Sequence, residues 1–389
     1  MKILYFSNLN IKNNKSWSGI PKAIYDILVK NNQKVTILVL NNPVFRLLNI
    51  FQKLINFFLN NKGSSIRGYF PNIYANIMVK IYIYIIKPDV IFSPTTILFR
   101  YIKKSPVINV ALCDTLLPGF RKYYKDYDRK YYKQDLISEG KCLENIDYLI
   151  VPTNWCKQQT LKFDTESMPI ILQSFFGSNL RKHPKLKTVS SMIKKRSINK
   201  QIVITTIIKD KISSYRKGID ITIDVCKRLM QKGFAVKLNI IGEVTNNIIR
   251  KLKFLKIQSV ITGKLDKSKD KEYKIFHTIM SDTTFFFLPS RGEAYGIAVC
   301  EAMAFGIPCF VSNNGGIAEI IVDKISGKVI KKSKTNFQVV NFCEKIFLSK
   351  KNYLRISLNA IKRHDEFLNW QSFYQSSFKK ILNTVKKKN

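Results

Sequence analysis

Two glutamates, Glu293 and Glu301, stand eight positions apart in the stretch SRGEAYGIAVCEAMAFGIPCFVSNNGG, Ser290 to Gly316. The run before it, TTFFFLPS, is apolar throughout and reads as a buried strand ending at Pro289. A helix is expected to open near Gly296 and close at Gly306, with Pro308 beyond it. A strand feeding a helix N-terminus leaves amides without acceptors in their own helix. Here they are those of Tyr295, Gly296 and Ile297, and with the helix dipole behind them they suit a phosphate. VSNNGGIAEII repeats the turn one strand later with Gly315 and Gly316, although a tight strand-to-helix turn alone explains a glycine pair. Carboxylates beside a phosphate would repel it unless aimed at hydroxyls, and they grip paired sugar hydroxyls well. The chemistry indicated is an anion site flanked by hydroxyl grips.

A chain of 389 residues is long enough for two domains of ordinary size. In the first half, KILYF, KVTILVL, DVIFSP, PVINVAL and DYLIVP alternate with helical patterns, which predicts a parallel sheet wrapped by helices. The second half repeats the alternation with QIVITTII, VKLNIIG, SVITG, TTFFFLPS and PCFVS. Residues 1–180 are expected to form one such α/β domain and 201–365 the other. Polar, basic residues 181–200 read as a linker between them. The stretch 366–389 reads as a closing helix that packs back toward the N-terminal domain. Two such doubly wound α/β domains would face a cleft at the carboxyl ends of their strands, where these folds bind ligands.

The chain carries 66 Lys plus Arg against 26 Asp plus Glu, a formal net charge of +40. A field of that sign draws in nucleic acid, lipid headgroups or phosphorylated substrates, though an A- and T-rich genome with Lys as its default surface residue accounts for the excess equally well. Seven cysteines with no C-x-x-C pair, several in apolar runs, point to a reducing cytoplasm. MKILYFSNLN reads as a buried strand and not a signal peptide, and no stretch has the apolar length of a membrane span. In NPVFRLLNIFQKLINFFLNNK the polar residues Arg46, Asn49, Gln52, Lys53, Asn56 and Asn60 recur at three to four positions and leave a broad Leu, Ile and Phe face. Two readings stay open for it, an interfacial helix on an anionic bilayer and a core helix. NIMVKIYIYIIK is read as core.

EAYGIAVCEAMAFGIP, with its two glutamates, resembles the E-x7-E signature of the retaining family 4 glycosyltransferases, among the group 1 glycosyl transferases. The leading FFFLPSR, the trailing GIPCFVSNNGGIAEII and SGKVI fall where that family has them. The resemblance runs firmly from about Gln201 to Ile330 and implies a GT-B fold of two Rossmann-like domains facing a cleft. It implies a donor site in which Glu293 contacts sugar hydroxyls, the amides of Tyr295, Gly296 and Ile297 lie by the diphosphate, and Glu301 holds the ribose. YRKGID resembles the family's K-G turn, which makes Lys217 the phosphate-neutralising lysine. Gly242 and Gly263 would line the nucleobase pocket. The family's usual Gly-Arg pair is replaced by ITTIIKDKISSYRKG, so Arg216, Lys209 or Lys211 supplies the second cation, and Arg216 is favoured by its place beside Lys217. In the first half, NKSWSGIPKAI resembles the first-strand glycine loop with Gly19, and Cys113-Asp114 stands where many members have His-Asp facing the reaction centre, which makes Asp114 the catalytic substitute. ILQSFFGSNL, with Gly177 and Asn179, matches the end of the N-terminal domain.

The resemblance implies a front-face, retaining transfer from a nucleotide sugar, with a UDP- or GDP-sugar as donor, to a lipid-linked or surface glycan such as lipopolysaccharide or capsule. Metal is not required in principle: there is no D-x-D beside an apolar strand in the second half, and His183, His277 and His364 are not clustered with acids at ligand spacing. No other cofactor is implied. A cytoplasmic enzyme, peripheral on the inner membrane face, is the corresponding location. The rival readings are a different GT-B enzyme such as a nucleotide-sugar 2-epimerase, a sugar phosphorylase, an inactive scaffold, and a nucleic-acid binder. The last would use the interleaved Tyr and Lys of Arg121 to Leu136, but no nucleic-acid motif is present and that partner is not expected.

Overall fold

The computed structural model describes residues 1–11, 16–58, 69–102, 104, 106–119, 129–331 and 335–388. Residues 121–128 of the Tyr- and Lys-rich segment, and Asn60, lie outside the described residues. The chain divides into one unit of Met1–Ser174 with Phe373–Asn389 and a second of Phe175–Ser372.

Each unit is built on a six-stranded parallel sheet. In the first, β1 (Lys2–Ser7), β2 (Lys34–Val39), β3 (Val90–Ser93), β4 (Ile108–Leu112), β5 (Tyr148–Val151) and β6 (Ile170–Gln173) are ordered β2-β1-β3-β4-β5-β6. In the second, β7 (Gln201–Ile208), β8 (Ala235–Gly242), β9 (Gln258–Ile261), β10 (Phe285–Leu288), β11 (Cys309–Ser312) and β12 (Gly327–Ile330) are ordered β12-β11-β10-β7-β8-β9. Strands covered on both faces read as unbroken apolar runs, and β3, β4, β5, β10 and β11 are buried along their whole length. Both sheets reverse their winding once, and in the second the reversal falls between β7 and β10. At such a point the loops leaving adjacent strands diverge, which opens a crevice for ligands.

The stretch 181–200, expected to be a linker, instead carries the helix Leu186–Ser197, which belongs to the second unit. Its few apolar residues are spaced to pack: Val189 and Ile193 enter the core with Ile204 and Phe285. Arg196, only 2% exposed, donates to the carbonyls of Thr283 (3.0 Å), Phe305 (2.7 Å) and Gly306 (3.3 Å). It thereby supplies donors at the C-terminal end of the helix Ile297–Ala304, where carbonyls lack partners of their own.

The expected single closing helix of 366–389 is two, Trp370–Ser376 and Phe378–Lys388, and its first residues end the longer helix Lys350–Phe367. Asn369 causes the first break, its Oδ1 accepting from the Ser372 amide at 2.9 Å and its Nδ2 donating to the Asp365 carbonyl at 2.8 Å. The passage to the first unit comes at Phe373, later than the expected 366, and the earlier passage falls after Ser174, before the expected 180. Among the described residues no helix is long and apolar enough to cross a membrane.

Replacing Arg196 with Met should leave buried carbonyls unsatisfied and destabilise the protein by about 3 kcal/mol. A lowered denaturant midpoint for the second unit is expected; an unchanged midpoint would show that the Arg196 hydrogen bonds add nothing to its stability.

Candidate active site

The loops leaving β7 and β10 carry the charged residues, and side chains cross between them. The Lys217 ammonium forms an ion pair with Glu293. Arg216 Nη1 lies 3.6 Å from the same carboxylate and donates to the Gly292 carbonyl at 2.7 Å. A second clamp was not foreseen from sequence: Arg291 is bidentate to Asp220 at 2.8 and 2.6 Å, donates to the Tyr215 carbonyl at 2.7 Å, and stacks on the Tyr215 ring at 3.8 Å. Burial pushes the Asp220 carboxyl up, but the Arg291 guanidinium outweighs it and holds the carboxyl below its ordinary range. Bidentate arginine fixes direction as well as distance, so the two loops are held in register.

Glycine permits the loops to come this close at two points. Gly218, at φ +73°, opens the helix Ile219–Gln231, and a Cβ there would lie 2.2 Å from the Pro289 carbonyl oxygen. Gly315, at φ +86°, bridges to Glu293, and its Cβ would fall 2.0 Å from the Glu293 oxygen. L-residues avoid this left-handed region, and the space is taken by backbone in both cases.

The helix Ile297–Ala304 starts where expected, with Gly296 as its N-cap, so its first-turn amides have no acceptor in their own helix. Tyr295 points into the core instead of the site, its hydroxyl donating to the Phe176 carbonyl at 2.7 Å. Only its backbone amide is therefore available to a ligand. Glu301 lies inside this helix, 3% exposed, and forms an ion pair with Lys267, a residue sequence reasoning did not single out. The Asn179 backbone amide also reaches this carboxylate. Burial raises the Glu301 carboxyl above its ordinary range, with Lys267 and the Asn179 amide opposing it.

Gly242 and Gly263 are brought together as a bridge at the ends of β8 and β9, beside a Lys264–Glu243 pair at 3.2 Å. Gly19 and Asp114 belong to the other unit. Gly19 caps the helix Ile20–Lys30, and Trp17 Nε1 donates to Asp114 Oδ2 at 3.3 Å. Trp17 and Ser18 both have positive φ, 41° and 55°, a strained conformation for non-glycine residues. Lys209 and Lys211 are exposed on the β7 loop, whereas Arg216 stands at Glu293. Among the described residues no group of three or more His, Cys, Asp or Glu could hold a metal ion.

Residues 205–363, which span all of these second-unit groups except Asn179 and Phe176, match the family described as glycosyl transferases group 1. The second unit carries a group 1 glycosyl transferase domain. Sucrose synthase 5 of Arabidopsis thaliana is 31% identical over 116 residues, which cover 29% of this chain and 14% of that protein. The chain thus spans only a small part of the length of the sucrose synthases it matches. Among solved structures, a sucrose-phosphate synthase from Thermosynechococcus elongatus superposes with a TM-score of 0.72 at 13% identity, covering 100% of both chains. Anabaena Alr3699/HepE in complex with UDP superposes with a TM-score of 0.66 at 13% identity, also over 100% of both. These likenesses establish the two Rossmann-like, GT-B fold around the group 1 domain.

The raised Glu301 carboxyl gives a sign to pH dependence. The folded acid holds its proton to higher pH than the unfolded one, so this group costs stability as pH rises from the ordinary carboxylate range through its raised value. Glu301→Gln should therefore gain stability over the wild type as pH is raised through the range above the ordinary carboxylate value. Thermal unfolding across that range checks it; a variant that loses ground as pH rises would mean that the Lys267 pair outweighs desolvation.

Proposed function

We propose that the chain is a retaining glycosyltransferase that moves a sugar from a UDP- or GDP-sugar to a lipid-linked or surface-polysaccharide acceptor, lipopolysaccharide or capsule among them. The observation that carries the reading is the grouping of Lys217, Arg216 and Glu293 at the β7–β10 switch point, next in sequence to the helix start at Gly296. Cations and free helix-start amides suit a phosphate, and a carboxylate suits sugar hydroxyls. The grouping supplies both. UDP in the Anabaena structure supports a nucleoside diphosphate as the donor's leaving group.

In the proposed reaction the bond from the anomeric carbon to the diphosphate oxygen breaks. The acceptor oxygen attaches on the same face, and its proton passes to the departing phosphate. Negative charge grows on the diphosphate as the bond lengthens. Lys217, Arg216 and the amides of Gly296 and Ile297 stabilise that charge, with no reorganisation needed at the moment of reaction. Ligand entry draws Lys217 toward phosphate and frees Glu293 for the sugar hydroxyls. Glu301 grips the ribose in the same way once Lys267 gives up its place. Asp114 is the acceptor-side carboxylate in this scheme. The cations of the chain carry the charge, so turnover should persist in the presence of a chelator. The strongly basic chain suits an acceptor presented on an anionic lipid carrier.

UDP-, GDP- and ADP-sugars should be compared for their effect on the thermal midpoint, since a ligand that binds only the folded protein raises it. One of the first two should raise it most, and Glu293→Ala should cut turnover of that donor by about a hundredfold or more while the free protein keeps its fold by circular dichroism. Unchanged turnover in this variant, or no response to any nucleotide sugar, would contradict the proposal.

A further inference from the structure

The helix Pro43–Phe58 is turned inside out. Its buried residues are Phe45 and Gln52, the latter only 7% exposed, and Gln52 Nε2 donates to Asn56 Oδ1 at 3.0 Å. Asn49 faces the same way and donates to the Phe45 carbonyl at 2.9 Å. Leu47, Ile50, Phe51, Leu54, Phe57 and Phe58 are exposed, the last two at 80%. At roughly 100° per residue these six fall on one broad stripe, with Arg46 and Lys53 along its edge.

The neighbouring helix Tyr69–Ile86 continues the pattern. It packs against the first through Phe70 on Phe51, with ring centroids 5.1 Å apart, and through Tyr74, whose hydroxyl accepts from Asn42 at 2.6 Å. Tyr74, Met78, Tyr82 and Ile83 turn to the core of the first unit, as expected of a core helix. Ile73, Ile77, Ile81 and Ile85, one turn apart, remain exposed. Single exposed apolar side chains are ordinary on a protein surface, but two stripes on packed helices require a covering.

Charge decides what covers them. From Ile27 to Pro88 the chain has eight Lys and Arg and no Asp or Glu. A second copy would bring the same cations and the same net charge of +40 to the face, and would be repelled. An anionic bilayer meets both needs, because acyl chains take the apolar stripe while phosphates meet the cations at its edge. We propose that these two helices form a docking face for an anionic phospholipid bilayer, with Pro43–Phe58 lying in the plane of the interface. The inference rests on the surface alone and stands apart from the proposed sugar transfer.

Full-length protein should co-sediment with vesicles of mixed phosphatidylcholine and phosphatidylglycerol at about 50 mM salt, and much less with phosphatidylcholine alone. The double variant Leu54→Glu/Phe58→Glu should lose about tenfold or more of that partition, and Arg46→Glu/Lys53→Glu should lose the preference for anionic lipid. All four side chains are exposed, so the unfolding midpoint should hold in both variants and separate lost docking from lost folding. Full recovery of the wild type in the supernatant would overturn the proposal, as would equal sedimentation of the Leu54/Phe58 variant. So would a wild-type dimer in solution that this variant converts to monomer.

Discussion

Glu293 is paired with Lys217 and approached by Arg216, and the arrangement of the second unit's site follows from that neutralisation. A half-buried carboxylate placed beside a phosphate site would repel the ligand if its charge were left bare. The two cations come from the loop after β7 and the carboxylate from the loop after β10, so the pairing exists only because those strands are neighbours. The sheet order that makes them neighbours is thus a precondition of the chemistry. Arg291 on Asp220 repeats the linkage between the two loops with stricter, bidentate geometry.

Glu301 illustrates the opposite balance. Its burial costs free energy that Lys267 and the Asn179 amide offset only in part. The two glutamates are therefore unlike each other: one is a neutralised loop residue, the other a helix residue held against desolvation.

Most of the fold was legible in the sequence because parallel strands buried on both faces announce themselves as apolar runs. What escaped was masked by composition. Strand β6 is exposed or half-buried along its length, and so carries no apolar signature. The helix Leu186–Ser197 is mostly lysine, serine and threonine, with Val189 and Ile193 too sparse to be read as a core face. Of the site, the glutamates, Lys217 and the helix start were readable as local motifs, with the family resemblance giving them roles. Lys267 and the Arg291–Asp220 clamp were not, since nothing local marks a lysine 34 residues from its partner or an arginine 71 residues from its own. The periodicity of Pro43–Phe58 likewise showed two faces but not which was inward, a choice made by its packing against Tyr69–Ile86.

In the proposed donor site a nucleoside diphosphate is received by the Lys217 and Arg216 cations and the amides at Gly296 and Ile297. A structure of the chain with UDP or GDP bound tests it most directly. Phosphate oxygens within about 3 Å of the Lys217 ammonium and of those amides, with Glu293 released from its pair, is the result the account predicts. A nucleotide bound elsewhere, with the Lys217–Glu293 pair intact, would contradict it.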